Sequence, residues 1–74
     1  MTMNINPAST ILAFSNDNEI VFFGANADKV ATICRLQSET NSRGIHYLNI
    51  RRSQQDIVYP QLVAAGYKVA EIDS

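Results

Sequence analysis

Few side chains in this sequence could do chemistry. Cys34 and His46 are the only cysteine and the only histidine of 74 residues. A nucleophilic thiol needs a lowered pKa, hence an exposed, electropositive site and a base within reach. Cys34 falls instead in an apolar arc, where a thiol behaves as a small hydrophobe. A zinc site needs three or four ligands from His, Cys and carboxylates. One His and one Cys, with no second pair at ligand spacing, do not supply them. Ser53, His46 and Asp56 can be written down as a triad. The sharp Gly-x-Ser-x-Gly turn that exposes a serine nucleophile is missing, however. The acids Asp17, Glu19, Asp28, Glu39, Asp56, Glu71 and Asp73 fall at turns, helix starts or exposed positions, and no two form an acid–base couple. Phe23-Gly24-Ala25-Asn26-Ala27-Asp28-Lys29 has the strand–glycine–helix order of a phosphate loop. It lacks both Gly-x-Gly-x-x-Gly and the Gly-Lys-Ser/Thr ending, and Asp28 would repel an anion. The expectation is a non-enzymatic chain with no catalytic set, no metal site and no cofactor.

Charge patterning is more informative. The formal net charge is −1, from 6 Lys and Arg against 7 Asp and Glu. That near-neutrality is a cancellation. Residues 41–55 hold Arg43, Arg51 and Arg52 and no acid, whereas the segments on either side are net acidic. Arginine pairs with carboxylates or phosphates through a two-pronged fork and stacks on aromatic rings. Arg43, Tyr47, Asn49, Arg51 and Arg52 are therefore the candidate partner-binding residues. A protein partner or self-association is the first reading. The alternative is a nucleic-acid-binding module using an Arg/Tyr sheet face. The bland reading is a solvated strand end whose arginines discourage edge-to-edge aggregation.

These residues need a scaffold. Residues 10–14 and 19–23 are short apolar runs joined by Ser15-Asn16-Asp17-Asn18, which reads as a hairpin. Neither run alternates cleanly, so the period does not say which side chains point inward. Ala27, Val30, Ala31, Ile33 and Cys34 share one side at 100° per residue, opposite Asp28, Thr32, Arg35 and Glu39. This predicts an amphipathic helix over residues 27–40, capped by Asn26 and ended near Gly44. Residues 45–52 are the best strand. Leu48 and Ile50 form a core pair on one face, and Tyr47, Asn49 and Arg51 lie on the other. A second helix is expected over residues 57–65 with Asp56 as cap, a start chosen to bring Pro60 close to its first turn. Gly66 ends it, and residues 67–72 read as the last strand.

The order β-β-α-β-α-β predicts an α+β fold, a two-layer sandwich with a four-stranded mixed sheet and two helices on one face. One domain is expected over residues 10–74, with residues 1–9 as a flexible N-terminal tail. A hydrophobic fraction of 46% with 18% charged residues excludes disorder, and a single cysteine excludes an internal disulfide. No apolar run approaches a membrane span, and the start lacks the pattern of a secretory signal, so a cytoplasmic location is expected. A domain this small has little stability in reserve, which makes a homo-oligomer or a complex the default. The stretch Leu62–Val69 is the helix–glycine–strand junction common to many α/β chains, and speaks for topology only.

Overall fold

The computed structural model describes residues 9–73. The tail expected over residues 1–9 lies, apart from Ser9, outside the described residues. In chain order the elements are β1 (Thr10–Ser15), β2 (Glu19–Phe23), α1 (Ala25–Cys34), β3 (Glu39–Thr40), β4 (His46–Arg51), α2 (Gln55–Ala64) and β5 (Lys68–Asp73). A short 3₁₀ turn, Arg52–Gln54, leads into α2. The strands form one mixed sheet in the order β3-β4-β2-β1-β5. The α+β class holds, with five strands rather than four.

The β1–β2 hairpin forms where expected. Asn16 closes it by accepting the backbone N–H groups of Asn18 at 2.9 Å and Glu19 at 2.8 Å on its side-chain oxygen. This is the local bonding that makes Asn a turn residue. β2 then pairs antiparallel with β4, and β1 pairs parallel with β5. β4 and β5 run parallel to one another, but β2 and β1 lie between them.

Both helices pack on one face of the sheet. Ala27 and Val30 of α1 and Val58 and Leu62 of α2 join Ile11, Ala13, Ile20, Phe22, Leu48 and Ile50 in a single core, every member at most 3% exposed. Leu48 and Ile50 are thus the core pair that the alternation of β4 implies. Burial of this apolar area is the main stabilising term in so small a domain.

Three sequence expectations are corrected. α1 stops at Cys34 and does not run to residue 40. Arg35 takes the left-handed conformation, φ 55°, and the Leu36 N–H turns back to the Ala31 carbonyl at 2.9 Å. The chain released there reaches the outer edge of β4, where Glu39 and Thr40 pair with Tyr47 and His46 as a fifth strand. α1 also starts earlier than expected. Gly24, at φ 60°, is its cap residue, and no side chain of that cap accepts a hydrogen bond. Asn26 therefore lies within the first turn. Finally, α2 begins at Gln55, which leaves Pro60 inside the helix. The N–H that proline lacks would have bonded the carbonyl of Asp56, an exposed residue one turn earlier that water can reach. The Gln61 side-chain amide donates to the next carbonyl, that of Ile57, at 2.9 Å.

The end of α2 matches its sequence signature. Gly66 sits at φ 96°. The Tyr67 N–H reaches the Leu62 carbonyl at 3.0 Å and the Gly66 N–H reaches that of Val63 at 3.0 Å. These are the two bonds of the Schellman motif, and the positive φ is why glycine stands there.

Candidate docking face

Strand alternation decides what the second face of the sheet carries. With Leu48 and Ile50 turned to the helices, Tyr47, Asn49 and Arg51 must turn away. Register places Phe23, Val21 and Glu19 of β2 directly opposite them. Phe14 of β1 stands opposite Val21 and beside Ile72, and Leu12 beside Ala70. The result is an apolar surface on the side of the sheet away from both helices. Leu12 is 38% exposed, Phe23 43% and Ile72 41%, against at most 3% for the core residues behind them. The Phe14 and Phe23 rings meet edge-on with centroids 5.6 Å apart, which ties β1 to β2 across this surface.

Charged groups rim it at both ends of β4. Glu19 stands opposite Arg51 and accepts a hydrogen bond from the Asn49 side-chain amide. At the other end Glu39 stands opposite Tyr47. Arg43 lies exposed on the β3–β4 turn, which Asn41 holds by accepting the Arg43 N–H at 2.9 Å and the Ile45 N–H at 3.0 Å.

The five candidate residues do not form one surface. Tyr47, Asn49 and Arg51 lie together on the open face, and Arg43 stands beyond one end of it. Arg52 turns to the helix side. Its guanidinium donates to Glu71 of β5 at 2.7 Å and to the Gln55 side chain at 3.4 Å. Tyr59 of α2 donates its hydroxyl to the other Glu71 oxygen at 3.1 Å. The Arg52 bond, with help from Ser15, holds the Glu71 carboxyl below the usual carboxylate range. Burial, reinforced by the bond to Glu71, pushes the Tyr59 phenol up to about 12. Arg52 thus locks β5 and α2 to the end of β4.

Leu12, Phe14, Val21, Phe23 and Ile72 are not among the residues that charge and chemistry single out in the sequence. Their signal was present as a defect. Residues 10–14 and 19–23 fail to alternate because both faces of β1 and β2 are apolar.

The remaining candidates sit apart from this face. His46 Nδ1 lies 2.8 Å from Asp28 Oδ1, so the imidazole joins β4 to α1 on the helix side. Cys34 is half-buried with its Sγ 3.9 Å from the Val58 carbonyl, and burial pushes its thiol up. That is the wrong direction for a nucleophile. The glycine of the Phe23–Lys29 turn donates its N–H to the His46 carbonyl at 2.7 Å, so that amide is committed to the fold. Among the described residues, no helix is long and apolar enough to cross a membrane. No protein-family model matches the chain, and no curated protein matches its sequence.

Proposed function

We propose that this chain is a small non-catalytic binding domain of the regulator or inhibitor type, acting in the cytoplasm by docking a protein on the open face of its sheet. The observation that carries this reading is the contiguous apolar surface of Leu12, Phe14, Val21, Phe23 and Ile72, which neither helix covers. Exposed apolar patches of this kind mark interaction sites in soluble proteins. Tyr47 and Arg51 at its margin are residue types that dominate binding energy at interfaces. Protein is favoured over nucleic acid because Glu19 and Glu39 share the face and would repel phosphate.

The test is a comparison of wild type with Phe23→Glu in the source cells, with the circular dichroism of the variant checked first. A protein retained by wild type and lost by the folded variant supports docking here. A partner retained equally by both refutes the assignment to this face. Salt-sensitive binding of single-stranded nucleic acid, abolished by Arg51→Glu, would replace a protein partner with the alternative.

A further inference from the structure

We infer that the protein docked on the open face is a second copy of this chain, related to the first by a two-fold axis running across the strands. The inference rests on the docking role proposed above and names the occupant.

The face is self-complementary in charge. The outward residues of β2 and β4 place Arg51 and Glu19 side by side at one end. Glu39 stands at the opposite end, beside Tyr47, with Arg43 exposed on the turn just beyond. Two sheets packed face to face can be related by a two-fold axis only if it lies in the plane between them. When that axis crosses the strands, strand order is kept and strand direction is reversed. β4 of one copy then lies along β4 of the other, with opposite ends together. Arg51 comes over the Glu39 end of the second copy, and Glu39 over its Arg51 end, so each contact is made twice. Glu19, on β2, is carried by the same rotation onto β2 of the second copy, at its Phe23 end.

The apolar residues fit the same operation. Register sets Val21, Phe14 and Ile72 in one row across the sheet. Phe23 and Leu12 lie in the next row, two residues along their strands, and the Phe14–Phe23 contact joins the rows. The axis that brings Arg51 over the Glu39 end lies on the Val21–Phe14–Ile72 row, so that row lies on its own copy and Phe23 comes over Glu19 of the second copy. An apolar row at the centre with charged groups on either side matches a protein interface, an apolar centre inside a polar border.

Area sets the expected strength. Strands about 4.8 Å apart, each contributing some five residues at about 3.3 Å, give roughly 400 Å² in plan for the whole face. That is about half the usual area per partner of a specific interface, so the dimer should be weak and reversible.

Sedimentation velocity on the full chain over a concentration series up to about 500 µM reaches weak self-association. Wild type should pass from monomer to dimer. Arg51→Glu and Glu39→Arg should each weaken the dimer about tenfold or more, because each sets two like-charge contacts across the axis. The combined variant R51E/E39R should return to within about threefold of wild type, since the pair is restored with its signs exchanged. Both side chains are exposed, so these variants keep the core intact, and thermal melts verify it. A chain that stays monomeric throughout overturns the inference. So does a dimer that ignores both single reversals, or one that the combined variant fails to restore. The outcomes also separate the two proposals. A monomeric chain that still loses a bound protein on Phe23→Glu keeps the docking face and removes only the second copy. A dimer indifferent to Phe23→Glu removes the face itself.

Discussion

α1 and α2 end in the same backbone device with different residues in the left-handed position. Arg35 holds it after α1 at φ 55°, and Gly66 after α2 at φ 96°. An L-residue in that region costs roughly 1–2 kcal/mol relative to the right-handed helix. Arg35→Gly removes that strain. The gain is offset by the larger conformational freedom of glycine in the unfolded chain, about 0.4–1 kcal/mol. Arg35 is exposed, so little packing is lost with its side chain. The net expectation is a stabilisation of about 0.5–1 kcal/mol, or a Tm higher by roughly 2–8 °C in a domain of this size. Gly66→Ala is the converse. A Cβ at Gly66 meets nothing within 4 Å, so its effect is a matter of backbone conformation. It should lower stability by about 1 kcal/mol or more. Urea titrations with thermal melts of both variants measure the two shifts. An Arg35→Gly variant less stable than wild type would refute the strain argument, and an unchanged Gly66→Ala would refute its counterpart.

The Glu71 carboxyl, held low by Arg52, stabilises the fold above its unfolded pKa, and the contribution is lost as pH falls through its lower folded value. Glu71→Gln should therefore lower Tm at neutral pH, and the gap should close only once pH has fallen below the lowered folded pKa of Glu71, where the wild-type carboxyl is also uncharged. A gap that persists in acid would point to packing rather than charge. The Cys34 thiol, half-buried and pushed up, should react with iodoacetamide far more slowly in the native protein than after denaturation. Equal rates would mean that α1 opens readily at its C-terminal end.

How far the sequence was legible depended on whether one face of an element was polar. β4 was readable because Leu48 and Ile50 alternate with Tyr47, Asn49 and Arg51, so period two appears in the residue types. The hairpin and the end of α2 were readable because Asn16 and Gly66 do chemistry that few other residues do. β3 was not. Two residues carry no period, and Glu39 and Thr40 continued the helical pattern of α1. The break that freed them is a conformation adopted by an arginine, for which composition gives no hint. In α2 the usual penalty for Pro60 pointed to a late start, but the proline falls one turn after an exposed residue, Asp56. At the site, alternation placed Tyr47, Asn49 and Arg51 on one face correctly. It also placed Arg52 with Leu48 and Ile50, yet grouping arginines by their nearness in sequence joined it to a surface it does not share. The apolar half of the face was hidden because apolar residues occupied both sides of β1 and β2.

The ladder between β1 and β5 has a kinetic consequence. It pairs residues 58 positions apart in the chain, Ser15 with Asp73 among them, and the Ser15 hydroxyl also donates to the Asp73 carboxylate. The β1–β2 hairpin is local and can close within microseconds. The parallel partner of β1 arrives only after a long loop has been closed, and such contacts form slowly. In that interval β1, an interior strand of the finished sheet, presents a bare edge with Leu12 and Phe14 beside it. A β5 strand from a neighbouring molecule would satisfy that edge as well as the chain's own. Strand exchange between molecules is therefore the misassembly this topology invites, and it grows with concentration while folding within one chain does not.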